Sequence, residues 1–275
     1  MKKTILVAGK DMPECSAFCE SLSKSGRKVA AGGKETEADE AKKTIAERRT
    51  QMEAYNESKT VEAKSGICTF EWNKSSPLST RSFILQTENA FQSLDEAVLY
   101  FDEEYFASNA QKMDAEEVSR CCDEMLLSFQ NLALEILNRF EKKYTENPFT
   151  LIFMLKECPC VSDAARLPSL RNGSVAIASP LVAAAASAFS SFAENIAAMY
   201  GDSVFTNILL VRGECKSDKS LTQGQEAQWL SSYLDGLYAQ KTKLSAKKSM
   251  QWISIGAKFS SSPFDSIKNK FLKKI

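Results

Sequence analysis

Short apolar runs alternate with amphipathic stretches along this chain, and that alternation limits its fold more than any other feature. The runs are rich in Val, Ile, Leu and Phe and have the length of buried strands. Strands are predicted at 4–9, 28–31, 66–72, 94–101, 149–155, 204–211 and 250–255. Because parallel strands need a crossover between them, almost always right-handed, the alternation predicts an α/β fold with a three-layer, doubly wound parallel sheet.

The segments between these runs have helical spacing. Helices are predicted at 13–25, 35–60, 79–92, 114–143, 180–200 and 223–239. No linker or repeat interrupts the 275 residues, and a chain of this length can fold around one core. We therefore predict a single domain at 1–263, followed by a basic C-terminal tail at 264–275.

The chain contains no histidine, which removes the commonest general base and the commonest transition-metal ligand. A Ser-His-Asp or Cys-His catalyst cannot be built from it. Lysine plus arginine equals aspartate plus glutamate, at 35 each, so no net charge favours nucleic acid as a partner. No stretch reaches the roughly 18 apolar residues of a membrane span, and we predict none.

Eight cysteines are present, and no two have the C-x-x-C spacing of a metal or redox motif. Their density is far below that of a disulfide scaffold. We expect free thiols, no bound metal and a cytoplasmic location, where thiols stay reduced.

The opening segment reads as strand, glycine turn, helix and strand, with Gly26 before the second strand. This is the order of the first unit of a Rossmann-type, dinucleotide-binding sheet. Together with three later places, it resembles a divergent short-chain dehydrogenase/reductase over nearly the whole chain. Those places are Asp95 before the apolar run of the fourth strand, Tyr200-Gly201 closing a long helix, and Asn207 in the sixth strand.

The resemblance implies NAD or NADP as cofactor and a dimer formed through helices 114–143 and 181–200. It also identifies the positions at which this chain departs from the family. The first turn of the family reads T-G-x-x-x-G-x-G, but only Gly9 is kept, and Pro13 and Cys15 replace the other glycines. Those glycines let the backbone approach the pyrophosphate, so the usual cradle is compromised.

The catalytic positions of the family are also changed. Its tyrosine and lysine fall on Val182 and Ala186, and residues 178–199 contain neither residue type. The N-N-A-G motif is replaced by residues 100–103, in which Asp102 and Glu103 would face an anionic cofactor. General acid–base catalysis typically raises a reaction rate by about 10²–10⁴-fold, and residues 178–199 supply neither the tyrosine nor the lysine for it.

Several residues remain as candidates. If a nucleotide binds, Gly9, Lys10, Asp11 and Lys34 would contact it, with Lys34 favouring a 2′-phosphate; otherwise Lys10 and Asp11 are expected to be exposed turn residues. The pair Lys156 and Glu157 follows a central strand and could supply acid–base chemistry or form a plain ion pair.

A third candidate is the acidic run 102–104, which could bind a divalent cation, although a solvated acidic loop is favoured. The sequence thus predicts a non-catalytic, dimeric binding or scaffold module that contacts a partner protein and needs no cofactor. An NAD(P)-dependent oxidoreductase with a rearranged active site is the alternative, so whether the protein is an enzyme stays open.

Overall fold

A computed structural model describes residues 2–33, 66–110, 114–143, 148–161, 179–214, 221–239 and 244–259. Across these ranges seven parallel strands form one sheet in the order β3-β2-β1-β4-β5-β6-β7. The strands are β1 (Thr4–Met12), β2 (Lys28–Gly33), β3 (Ile67–Glu71), β4 (Glu96–Asp102), β5 (Phe149–Glu157), β6 (Thr206–Glu214) and β7 (Trp252–Ser254). The predicted doubly wound parallel sheet is confirmed.

The helices lie on both faces of this sheet. They are α1 (Ser16–Lys24), α2 (Pro77–Phe91), α3 (Glu103–Asn109), α4 (Ala115–Cys122), α5 (Ser128–Glu141), α6 (Pro180–Tyr200), α7 (Gln223–Ala239) and α8 (Ala246–Ser249). A π-helical turn, Asp123–Leu127, joins α4 to α5, so the single helix predicted at 114–143 is interrupted. Buried Cys121, Met125 and Phe129 continue one apolar stripe through the interruption.

Two apolar cores separate the layers. Helices α2 to α6 cover one face, where Phe153 packs with Phe189, and α1 and α7 cover the other, where Met154 lies with Leu230. Successive residues of β5 therefore point into different cores, which explains why its sequence is a continuous apolar run.

Several strands run further than predicted at their carboxyl ends. The polar pair Lys10-Asp11 breaks the apolar run after Gly9, yet β1 continues until Met12 pairs with Gly33 of β2. For the same reason α1 begins at Ser16 and not at Pro13. The extension matters because it moves residues expected in a turn to the edge of the sheet.

Among the described residues, α6 is the one helix long and apolar enough, by length and composition, to cross a membrane. Its inner residues Val182, Phe189 and Ala193 are buried in the core below it, which accounts for much of its apolar character. The predicted helix at 35–60 and the predicted tail at 264–275 lie outside the described residues.

Candidate functional site

The candidate site lies where the carboxyl ends of β1 and β4 meet. The chain leaves β1 towards β2 and β3 and then returns to β4 on the opposite side of β1, so the strand order reverses here. In open α/β sheets this crevice is where ligands bind. Gly9 lies at its floor with φ of +129°, and a Cβ there would come within 2.0 Å of the Tyr100 carbonyl oxygen. Glycine is therefore required for the close approach of two strands.

An ion pair crosses the crevice from β1 to β4. The Lys10 ammonium contacts the Asp102 carboxylate, and both residues are buried. The Lys10 Nζ also lies 5.2 Å from the Tyr100 ring centroid. The expectation that Lys10 and Asp11 are exposed turn residues is wrong, because β1 extends through them and each is about 5% exposed.

A second set of buried polar side chains lies beside this ion pair, and Glu226 of α7 contacts the other two members. The Tyr100 hydroxyl donates a 2.6 Å hydrogen bond to Glu226 Oε2, and Lys156 Nζ lies 3.5 Å from Glu226 Oε1. Burial raises the pKa of Glu226, against the opposing effects of Lys156 and the Tyr100 hydroxyl. Burial also raises the pKa of Tyr100 well above its ordinary value. Tyr100 is therefore a neutral donor at physiological pH.

The first turn of α7 also contacts Lys10, Glu14 and Ser21 of α1. With its amide oriented by hydrogen bonding, Gln223 accepts from Lys10 Nζ at 3.0 Å and donates to the Glu14 carbonyl at 3.2 Å. The Ser21 hydroxyl donates to the Gly224 carbonyl at 2.7 Å. Side chains of β1, β4, β5 and α7 thus meet in the crevice.

Two backbone N–H groups at the start of α1 are engaged within the chain. Cys15 N donates to the Asp11 carbonyl at 3.2 Å and Ser16 N donates to the Pro13 carbonyl at 2.9 Å. Pro13 has no N–H. A helix N-terminus binds phosphate through such groups, so this one offers fewer donors than a glycine-rich turn would.

Asp11 lies on the other side of β1. Its Oδ2 accepts a 2.8 Å hydrogen bond from Lys74 Nζ, and both residues line a cleft of about 340 Å³ together with Trp72, Tyr105 and Arg120. Asp11 is thus held by an ion pair at the edge of β1, where it forms part of the cleft wall.

The acidic run 102–104 spans the end of β4 and the start of α3, with no loop between them. Asp102 caps α3 because its Oδ1 accepts from Glu104 N at 3.0 Å and from Tyr105 N at 3.4 Å. Asp102 and Glu103 are both buried, so the favoured prediction of a solvated acidic loop is wrong. No group of three or more cysteine or carboxylate side chains in the described ranges is placed to hold a metal ion.

Glu103 lines a second cavity, of about 270 Å³, above β5 and β6. Ala186, Ser187, Ser190 and Arg212 also line it. Glu103 Oε2 accepts a 2.6 Å hydrogen bond from Cys158 N. Burial raises the pKa of Glu103 to about 7, against the effect of that hydrogen bond. A carboxyl group with this pKa exchanges protons readily at neutral pH.

The two positions matched to the catalytic tyrosine and lysine of the resembled family lie on the inner face of α6. Val182 is fully buried and Ala186 is 4% exposed, and both pack in the core beneath the helix. Neither side chain can donate a proton.

The structure does not bring Lys156 and Glu157 together as a pair. Their side chains point to opposite faces of β5, because neighbouring residues of a strand alternate. Lys156 lies near Glu226, whereas Glu157 Oε2 lies 3.2 Å from Arg212 Nε on the α6 side. The remaining candidate, Lys34, lies outside the described residues.

Sequence reasoning missed Lys74, Gln223 and Glu226. Lys74 follows β3, and the other two belong to the first turn of a helix that looks ordinary in sequence. Tyr100 and Glu226 are 126 positions apart, so no local pattern connects them. The helix start at Asp102 could have been found, because an N-cap aspartate followed by glutamates is a known signal.

The strand order and the helix layers are those of a Rossmann-type, doubly wound α/β fold, which is the fold expected from the resemblance. Solved structures similar to this chain include a short chain dehydrogenase from Mycobacterium smegmatis, with a TM-score of 0.56 and 14% identity over 94% of this chain and 93% of that one. An NADH-dependent reductase responsible for alginate metabolism gives a TM-score of 0.54 and 13% identity, with 92% of this chain and 95% of that chain covered.

A short chain dehydrogenase from Bacillus anthracis gives a TM-score of 0.53 and 10% identity, with 92% of this chain and 94% of that chain covered. No protein-family model matches the sequence, and no curated protein matches it significantly. At these identities the likeness concerns the fold alone.

Proposed function

We propose that this protein is a non-catalytic binding or scaffold module with a short-chain dehydrogenase/reductase fold, and that it acts as a dimer in the cytoplasm. The observation that carries the proposal is the ion pair between Lys10 and Asp102. It crosses the crevice at the reversal of strand order, where a dinucleotide would lie. A pyrophosphate would have to separate a buried pair and then lie beside the Asp102 carboxylate, and leaving a buried charge unpaired is costly.

The residues at the catalytic positions of the resembled family support the same proposal. Val182 and Ala186 supply no proton donor at the positions of the family tyrosine and lysine. A rearranged oxidoreductase site built on Lys156 and Glu157 would need both groups at one reacting atom, and they lie on opposite faces of β5. The geometry therefore favours the non-catalytic function over the oxidoreductase.

The dimer proposal rests on the outer surfaces of α5 and α6. Leu134 of α5 is 42% exposed and Met199 of α6 is 73% exposed, and Leu127 in the adjoining π turn is 44% exposed. Small residues, Ala184 and Ala188 among them, occupy the outer face of α6 and would allow close helix approach. Cys15, Cys19, Cys121 and Cys122 are free thiols, as suits a reducing cytoplasm.

Nucleotide affinity tests the closed crevice. Titration of the purified protein with NADH and with NADPH, followed by calorimetry, should give no binding up to millimolar nucleotide. Micromolar binding, worth about 8 kcal/mol, would contradict the proposal and return the oxidoreductase to first place.

Sedimentation tests the dimer. Leu134→Glu should convert the protein to a monomer, because a charge would be buried in the helix contact. Lys24→Glu is the control: Lys24 is exposed on α1, which covers the opposite face of the sheet from α5 and α6, and this change should leave the dimer intact. A wild-type monomer at micromolar concentration would overturn this part of the proposal.

A further inference from the structure

Three sulfur atoms come together where β1 passes into α1. They belong to Met12, Cys15 and Cys19, spaced Met-x-x-Cys-x-x-x-Cys in the sequence. The Cys15 Sγ lies 3.4 Å from the Met12 Sδ and 3.7 Å from the Cys19 Sγ. β1 ends at Met12 and α1 begins at Ser16, so Met12 meets the first turn of the helix, with Cys19 one turn further along.

The group has a dry interior and one accessible member. Cys15 and Cys19 are fully buried in the core between the sheet and α1, which also contains Phe18. Met12 is half-buried, next to the exposed Pro13. The thioether is therefore the member of the group nearest to solvent, and the two thiols behind it are shielded from water.

The donor set selects for a soft ion. Thiolates and thioethers are the ligands that favour Cu(I). Metal–sulfur bonds of about 2.3 Å place sulfur ligands roughly 3.8–4.0 Å apart in tetrahedral or trigonal geometry. The separations of Cys15 Sγ from Met12 Sδ, 3.4 Å, and from Cys19 Sγ, 3.7 Å, approach that range.

We propose that Met12, Cys15 and Cys19 form a binding site for one Cu(I) ion. Binding forms three copper–sulfur bonds and releases the two thiol protons to solvent, with no change in the oxidation state of copper or sulfur. The resulting centre carries one net negative charge at the N-terminus of α1, where the helix dipole favours an anion.

The test uses the full-length protein, reduced and kept free of oxygen, with Cu(I) alone as the probe. Competition with a chromogenic Cu(I) chelator should show one ion per chain. Cys15→Ser and Cys19→Ser should each lower the affinity by about a hundredfold, because thiolate ligands are lost, and Met12→Leu should lower it by about tenfold. Cys121→Ser is the matched control: Cys121 is buried in the other helical layer, and the affinity should not change.

X-ray absorption at the copper edge gives an independent readout. Three sulfur neighbours at about 2.3 Å are expected. Nitrogen or oxygen neighbours, an affinity too weak to compete with the chelator, or equal binding by wild type and Cys15→Ser would overturn the proposal. Circular dichroism of each variant separates loss of the ligand from loss of the fold, and Met12→Leu keeps the size of the side chain.

Discussion

Two regions at the same edge of the sheet differ in what fills them. Above β1 and β4, Lys10, Asp102, Tyr100 and Glu226 are all buried and paired with one another. Above β5 and β6, a cavity of about 270 Å³ stays open beside Glu103. Paired side chains fill the region between β1 and β4, whereas the space beside Ala186 is open. One edge of the sheet thus holds a packed region and an open one.

The largest expected effect comes from breaking the ion pair of the closed crevice. Asp102→Ala removes the partner of buried Lys10 and the N-cap of α3, and it should lower the free energy of unfolding by about 3–5 kcal/mol. Urea unfolding measures the loss. Asp114→Ala is the matched control, since Asp114 caps α4 but pairs with no buried lysine, and about 1 kcal/mol is expected. Equal losses would mean that the pair contributes nothing beyond the cap.

Gly9→Ala tests the close approach of β1 to β4. The added Cβ would come within 2.0 Å of the Tyr100 carbonyl oxygen at a positive φ, so a loss of about 3 kcal/mol is expected. Gly26→Ala separates the two causes, because Gly26 has φ of +92° with nothing within 4 Å of the added atom. That control should lose only about 1 kcal/mol. A tolerated Gly9→Ala would show that the crevice floor is not tightly packed.

Tyr100→Phe tests the second set of buried polar side chains. Removing the hydroxyl leaves Glu226 Oε2 without its 2.6 Å hydrogen bond, which should cost about 1–2 kcal/mol in thermal or urea unfolding. Tyr233→Phe serves as the control, because Tyr233 is half-buried and its hydroxyl makes no hydrogen bond with the described residues. A neutral Tyr100→Phe would mean that the crevice is closed by Lys10 and Asp102 alone.

The smallest expected effect concerns the open cavity. Because the folded protein keeps a proton on Glu103 up to about pH 7, while the unfolded chain releases it near 4.5, stability falls as pH rises between these values. Glu103→Gln removes that loss and still accepts from Cys158 N. We expect it to be about 1 kcal/mol more stable than wild type at pH 8, with the gain vanishing below pH 4.5, in urea unfolding. A gain independent of pH would contradict the raised pKa.

The fold was predictable because its signals are local. Apolar runs such as 149–155 and the stop at Gly26 fix strands and turns without long-range information. The candidate site was less predictable from the sequence. Lys10 and Asp11 look like turn residues in the sequence, and only the pairing of Met12 with Gly33 places them in a strand. Tertiary packing determines the partners of these two charges, Asp102 and Lys74. No periodic pattern in the sequence predicts such partners.

A crystal structure of the protein grown with millimolar NADPH tests the closed crevice most directly. We expect Lys10 Nζ to contact Asp102, the Tyr100 hydroxyl to remain hydrogen-bonded to Glu226, and no nucleotide to lie between β1 and β4. A nucleotide with its pyrophosphate at the start of α1, and Lys10 turned away from Asp102, would contradict it.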